Sequence, residues 1–374
     1  MDFERSITDM PFEILDLIFE KLKFLKYKVY LAQAHEKLAK AFAFHCRHKF
    51  RSLTLDGRLT LDLWEFLIRE CGATIEEFIY GGCGRLEKCV ALTAVAKHCP
   101  NLKSVRILLY RSDRENLPVF LENVKSLPIS LKINQQDHFP ATFLSAVSEM
   151  TQLKEFSFRG YMHENVHHLD KLIALERLSL EDITHYSKTP VDLMRICASL
   201  KKLRHLTLIR LQILPYDEPC STFWSDLEHL CFNYCEFSFE LPDCPKLKYL
   251  SIEYPNCDIE GYVLKFILKN GKNLTELHER CFPPIDGNGF LDLLRACPKL
   301  RCLYTPMEFI KLYAAYVSAM VEILKENGAT PEDPLELVVC RRIKWKWFRR
   351  LFRQTPNAEL IRLTKRYEDD ESRQ

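Results

Sequence analysis

One frame, apolar–x–x–apolar–x–apolar, returns along most of the chain at a step too short for a domain and too regular for a loop. Three copies are introduced by Cys-Pro: Cys99-Pro100-Asn101-Leu102-Lys103-Ser104-Val105, Cys244-Pro245-Lys246-Leu247-Lys248-Tyr249-Leu250 and Cys297-Pro298-Lys299-Leu300-Arg301-Cys302-Leu303. Clear copies begin at Ile75, Leu102, Leu153, Leu175, Leu203, Leu227, Leu247, Leu274 and Leu300, and weaker ones at Phe50, Pro128, Glu332 and Ala358. Successive copies lie 20 to 32 residues apart, mostly 24 to 28. Apolar positions two apart read as a strand. Helical patterns fill the gaps at residues 61–70, 120–124, 143–150, 191–200, 261–269 and 290–296. Cys-Pro then ends the segment, because the residue before proline leaves the helical region. Neither element can bury its apolar side alone, so the units must stack.

The frame and its period resemble leucine-rich repeats, whose units run about 20–29 residues. Tyr80 followed by Cys83, and Phe232 followed by Cys235, add the cysteine of that family. The resemblance covers residues 50–367, about 12–13 units. It implies an α/β fold: a curved solenoid with parallel strands on the concave face and helices outside. The short step from Leu227 to Leu247 predicts a unit with an extended or single-turn back. The long step from Leu300 to Glu332 predicts a full helix over 308–327.

Ahead of the array stands Ile7-Thr8-Asp9-Met10-Pro11-Phe12-Glu13-Ile14-Leu15-Asp16-Leu17-Ile18-Phe19-Glu20-Lys21-Leu22. Thr8 or Asp9 is placed to cap a helix, and Pro11 then falls in its first turn, where a missing N–H costs little. Glu13 suits the positive pole of the helix dipole. Ile14, Leu15, Ile18 and Leu22 form one apolar stripe, widened by Leu17 and Phe19. The order Met10-Pro11-Phe12-Glu13-Ile14-Leu15, Ile18-Phe19, Leu22 resembles the start of an F-box. In its second half, Ala34, His35 and Leu38 stand where that family carries valine-cysteine and tryptophan. The resemblance covers residues 7–48 and implies docking of a Skp-family adaptor, and through it cullin, by Pro11, Ile14, Leu15, Ile18, Phe19 and Leu22. With no Gly/Ser-rich linker between the modules, the last docking helix is expected to pack on the first strand and cap it.

The 374 residues suffice for a large core, and 53 basic against 51 acidic residues leave a net charge of +2. Nothing global points to nucleic acid or an anionic membrane. The nearest approach to a membrane span, 309–324, is short and contains Lys311 and Glu322. The N-terminus has no basic–apolar–small signal, so the expected location is cytoplasmic or nuclear. Fifteen cysteines are scattered without a CxxC pair, which argues for buried reduced thiols rather than zinc or disulfides. Gly81-Gly82-Cys83-Gly84 lacks a following Lys-Ser/Thr and reads as a tight turn, not a phosphate loop. His45/Cys46/His48 and His167-His168 lack metal spacing. No catalytic constellation, metal site or cofactor is expected.

Side chains alternate along a strand. The residues between frame positions therefore face out: His205, Thr207 and Ile209, then His229, Cys231 and Asn233, then Tyr249, Ser251 and Glu253, then Glu276, His278 and Arg280, with Arg177, Glu181, Glu155 and Arg159 extending the row. Strands about 4.8 Å apart make His205 and His229 neighbours. A metal pair there is one reading. A mixed polar face for a protein target is the other, with Arg177, His205, His229, Asn233, Tyr249, Glu253, His278 and Arg280 as its contacts. The mixture of signs argues against nucleic acid. One run breaks that balance: Arg341-Arg342-Ile343-Lys344-Trp345-Lys346-Trp347-Phe348-Arg349-Arg350-Leu351-Phe352-Arg353. It reads as a late repeat helix, with Trp345, Phe348, Leu351 and Phe352 inward and the cations solvated, as an RNA-binding segment, or as a membrane-surface helix. An acidic, disordered tail, 368–374, is expected after it. The combination resembles an F-box protein with leucine-rich repeats, which implies the non-catalytic substrate receptor of an SCF-type ubiquitin ligase. A repeat scaffold for protein or RNA, without a ligase role, is the alternative.

Overall fold

A computed structural model describes residues 6–55, 59–81, 90–111, 114–127, 129–137, 142–184, 190–215, 224–254, 261–280, 284–307, 310–340 and 345–365. Cys83, the start of the basic run at 341–344, and the acidic stretch from Glu368 to Glu371 lie outside them. The chain divides into two compact units, Met1–Leu175 and Glu176–Gln374.

The first unit opens with three helices, α1 (Phe12–Lys21), α2 (Leu25–Gln33) and α3 (Glu36–Cys46). The repeats follow: β1 (Ser52–Leu55), α4 (Leu61–Cys71), β2 (Glu77–Tyr80), α5 (Val90–His98), β3 (Ser104–Leu109), α6 (Asn116–Val124), β4 (Ser130–Gln135), α7 (Leu144–Ser148) and β5 (Glu155–Gly160). The five strands pair in parallel in chain order. A last 3-10 stretch, Glu164–Lys171, follows β5 and packs against α7.

The second unit contains β6 (Arg177–Asp182), β7 (Pro190–Val191), α8 (Leu193–Cys197), β8 (His205–Ile209), β9 (Gln212–Ile213), β10 (His229–Asn233), β11 (Tyr249–Glu253), α9 (Tyr262–Asn270), β12 (Glu276–Arg280), α10 (Gly287–Ala296), β13 (Cys302–Thr305), α11 (Ala314–Glu326), β14 (Leu335–Val339), α12 (Trp345–Arg353) and β15 (Ile361–Lys365). Eight strands, β6, β8 and β10 to β15, again pair in parallel in chain order, while β7 and β9 form a separate ribbon. In each unit a parallel sheet whose strands are joined by helical or extended connections is the leucine-rich-repeat arrangement, so the fold is α/β and of solenoid type. All thirteen frames carry a strand that begins two or three residues into the frame. Frame leucines point into the core: Leu178, Leu180, Leu206, Leu208, Leu230, Leu250 and Leu277 are all essentially inaccessible.

Several expectations are corrected. The segment 191–200 is helical only over Leu193–Cys197, because Asp192 caps it by accepting from the Arg195 N–H (2.9 Å) while Pro190–Val191 joins the small ribbon. The helix expected over 308–327 begins only at Ala314, because Tyr313 before it is extended (φ −147°, ψ 168°). Cys244-Pro245 ends no helix: residues 234–248 form none, in keeping with the short step. There Trp224, Phe237 and Leu241 supply the back layer against Phe232 of β10, whose ring lies 6.2 Å from Trp224 and 5.7 Å from Phe237. The helical module packs mainly on the repeat helix α4, through α2 and α3, rather than on the first strand. None of the ten cysteines in the described residues is in a disulfide, and all but Cys302 are buried.

Close stacking of repeat helices depends on two glycines. A Cβ on Gly72, just after α4, would run into the His98 carbonyl at the end of α5. A Cβ on Gly271, just after α9, would sit 2.8 Å from the Ala296 carbonyl oxygen at the end of α10. Gly72→Ala is therefore expected to destabilise by about 1–3 kcal/mol, the usual cost of overpacking, despite the better helix propensity of alanine. Thermal denaturation checks this. A neutral or raised midpoint would mean that α5 gives way freely.

Candidate functional site

Two surfaces stand out, one in each unit. In the first, Pro11 is the residue before α1 rather than part of its first turn. Met10, preceding a proline, is held extended (φ −69°, ψ 144°). That break separates α1 from a short 3-10 turn, Ile7–Asp9, which Ser6 and Asp9 close with a reciprocal capping box. The expected cap by Thr8 or Asp9 is therefore absent from α1.

The expected stripe also splits. Leu15 and Phe19 are buried against α3, with the Phe19 ring 5.5 Å from Phe42 and 5.8 Å from His45. These two residues hold the module together and offer no contact area to a partner. Ile18 and Leu22 are half-buried. Pro11 is exposed, and so are Ile14 (43%) and Leu17 (53%), beside Ile7, Met10 and Phe12. On α2 and its approach, Phe24 (65%), Tyr27 (55%) and Tyr30 are exposed too. Eight of the fifteen large exposed apolar side chains in the described residues thus fall within residues 7–30. In the second half of the module, Ala34 ends α2, His35 caps α3 by accepting from the Lys37 N–H (3.0 Å), and Leu38 is a core residue.

A buried polar link fixes these helices. His45 Nδ1 lies 2.6 Å from Asp16 Oδ1 on α1, and its Nε2 lies 3.0 Å from Lys28 Nζ on α2 and 2.9 Å from Lys49 Nζ. The neutral ring fits both sides, donating from Nδ1 to the carboxylate and accepting at Nε2 from the ammonium groups. Burial pushes the His45 pKa below its ordinary 6.5; Lys28 and Lys49 add to this, and Asp16 opposes it. The folded state therefore binds fewer protons than the unfolded chain below about pH 6.5, and stability is lost as pH falls through that range. The loss is at most about 1.4 kcal/mol per pH unit, one proton's worth. Denaturation midpoints at pH 7 and pH 5 should differ more in the wild type than in His45→Gln. Equal differences would exclude His45 as the titrating group.

The second unit carries the predicted strand face, with the register read from the frames. His205, His229, Tyr249 and Glu276 are successive partners across β8, β10, β11 and β12. Thr207, Cys231, Ser251, His278 and Tyr304 form the next row, and Ile209, Asn233, Glu253 and Arg280 the third. Arg177 stands beside His205 at the start of the first row. The rings form a ladder: His205 to His229 at 5.2 Å, His229 stacked on Tyr249 at 3.8 Å, Tyr249 to His278 at 5.3 Å, and His278 stacked on Tyr304 at 3.8 Å. It steps from the first row to the second between β11 and β12.

The ladder is uncharged at its centre. Burial, helped by His205, lowers His229 to about 4. Burial also raises Tyr249 to about 12 and Cys231 to about 11. Neither group is an anion near neutral pH, so the centre of the face offers hydrogen bonds and contact area without charge. The margins are polar and partnered: Glu276 is hydrogen-bonded to His278 (2.7 Å), Glu253 lies 3.8 Å from Arg280 and Glu181 3.0 Å from Arg210. Among the described residues no three His, Cys, Asp or Glu side chains are placed to share a metal ion.

Frame reasoning missed the rim of this face. Arg210, Tyr234 and Tyr254 each follow a strand and adopt left-handed φ values of 59°, 57° and 50°, a conformation that costs a non-glycine residue about 1–2 kcal/mol. Each keeps the ladder going, donating its N–H to the last carbonyl of the next strand at 2.7–2.9 Å. Tyr234 stacks on Tyr254 at 5.1 Å, with the Arg210 guanidinium 5.9 Å from the first ring and Arg280 5.9 Å from the second. The recurrence of a bulky residue just past three strands was the available signal.

No described protein family matches the sequence, and no curated protein matches it. Among solved structures the chain is similar to an internalin, InlF, from Listeria monocytogenes (13% identity, TM-score 0.47, covering 82% of this chain and 95% of that one). It is also similar to a chain of the yeast Rad7–Elc1 complex (18%, 0.48, 96% and 94%) and to a chain of the mouse RP105/MD-1 complex (14%, 0.48, 84% and 50%). At such identities these likenesses assign no role to any residue.

Proposed function

We propose that this chain is a substrate receptor of an SCF-type ubiquitin ligase, acting in the cytoplasm or nucleus. The helical module docks a Skp-family adaptor, and cullin through it. The strand face of the second unit binds the target protein. The observation that carries this reading is the clustering of exposed apolar side chains over residues 7–30, since contiguous apolar surface on a soluble protein marks a partner site. The docking contacts are then Pro11, Ile14, Ile18 and Leu22 from the F-box-like stretch, together with Phe12 and Leu17. The target contacts are Arg177, His205, His229, Asn233, Tyr249, Glu253, His278 and Arg280, supported by the mixed, hydrogen-bonding character that suits protein interfaces. Such a receptor supplies no reacting group. It raises the effective concentration of the target near the ubiquitin-loaded enzyme.

Co-expression with a Skp-family adaptor tests this. The full chain is expected to co-purify with the adaptor in a stoichiometric complex. Recovery of the folded chain alone would end the ligase reading and leave a repeat scaffold.

A further inference from the structure

The basic run has a partly unexpected surface. Helix α12 turns Phe348 and Phe352 into the core, and Trp345 stacks on Phe348 at 5.6 Å. Lys346, Arg349, Arg350 and Arg353 all point out. At 3.6 residues per turn these four occupy an arc of about 100° on one side of the helix. Some exposed cations of this unit find carboxylates, as Lys248 does with Glu228 and Arg301 with Asp333, each at 2.7 Å, and those that do not, such as Lys272, Lys325 and Arg362, stand singly rather than four to one helix side. Among the described residues, the side chains of the four on α12 make no hydrogen bond or ion pair. Beside them Trp347 is 51% exposed. Among the described residues its indole makes no ring contact, whereas Trp345 is covered by Phe348 and by Lys365. A cleft of about 310 Å³ adjoins the stripe, lined by Arg349, Phe352, Arg353, Ala358 and Ile361, with Glu359 as its one carboxylate.

We propose that this face of α12 binds single-stranded nucleic acid, with phosphates on Lys346, Arg349, Arg350 and Arg353 and a base stacked on Trp347. The unpaired cations call for a polyanion, and guanidinium groups, three of the four, match phosphate oxygens in pairs. The free indole favours a nucleic acid among polyanions, because every unpaired base brings a flat face to cover it, whereas aspartate and glutamate side chains bring none. Duplex bases are stacked already. A membrane surface fits less well, since the apolar side of α12 is spent on the core. The site is independent of the adaptor reading.

The test is fluorescence anisotropy of the full chain with a labelled oligouridylate of about 20 nucleotides. Binding is expected with a dissociation constant of about 1–100 µM near physiological salt, and with a log–log salt slope of about −3 for four neutralised phosphates. Arg349→Glu with Arg350→Glu should weaken binding at least about 10-fold and cut the slope to about −1.4 or less. Trp347→Ala should weaken binding about 5-fold or more without changing the slope. Circular dichroism should show both variants folded. The proposal is overturned by no binding at about 50 mM salt, or by an unchanged slope in the charge-reversed chain. It is also overturned if a polyglutamate peptide competes at equal charge while Trp347→Ala has no effect, which would assign the face to an acidic protein segment.

Discussion

Replacing Phe232 with alanine is expected to cost about 3–5 kcal/mol of stability, the range for removing a fully buried aromatic ring. The position is demanding for a specific reason. Between β10 and β11 the chain is too short for a helix, and the back of this repeat consists of side chains alone. Phe232 is inaccessible and lies between Trp224 and Phe237. The strands on either side are pinned by their hydrogen-bond ladders to β8 and β12, so the hole left by the ring cannot close by sliding them together. Leu268→Ala, at an exposed site on α9, is the control and should cost less than about 1 kcal/mol. Urea unfolding followed by circular dichroism gives the comparison. A loss below about 1 kcal/mol for Phe232→Ala would mean that the aromatic cluster is not what holds this thin repeat.

The second large effect separates the two sides of α1. Ile14→Asp with Leu17→Asp places charges where the side chains are already wet, so the fold should survive with its melting midpoint nearly unchanged. Adaptor capture should nevertheless fall at least about 100-fold. Each lost apolar side chain removes about 1.5–3 kcal/mol of burial in the complex, and each new carboxylate must be stripped of water to dock. Leu15→Asp is expected to act differently. It puts a carboxylate at a fully buried position of the module's core, and the helical module should come apart before any partner is offered. Adaptor pull-down and thermal denaturation, run on the same preparations, distinguish the cases. Adaptor binding retained by the doubly substituted, folded chain would move the docking site off α1.

The contrast between Leu15 and Ile14 also shows what the sequence hides. The strands were legible because period-two patterning needs only two faces, one in and one out. A frame of leucines then fixes register as well, and His205 and His229 fall side by side as the spacing predicts. A helix offers a continuum of directions. Ile14, Leu15, Ile18 and Leu22 satisfy an apolar stripe on paper, yet a partner helix on one flank takes Leu15 and Phe19 and leaves Ile14 outside. Which flank it covers depends on α3, some thirty residues away. The rim residues Arg210, Tyr234 and Tyr254 were hidden for a different reason. Left-handed backbone is set there by the turn out of each strand, and no residue preference announces tyrosine or arginine in that conformation. The solvated reading of α12 described its fold and said nothing of partners, because missing carboxylates are a property of neighbours in space.

The ring ladder of the second unit has a consequence for selectivity. His229 and Tyr249, and again His278 and Tyr304, lie face against face, so their π surfaces are already occupied by one another. A ligand that settles on this face meets rims: weakly positive C–H edges, imidazole nitrogens and phenol hydroxyls. Those groups reward direction and penalise mere greasiness. The surface is therefore suited to reading where a partner's carbonyls and hydroxyls point, and poorly suited to gripping any apolar chain that drifts past.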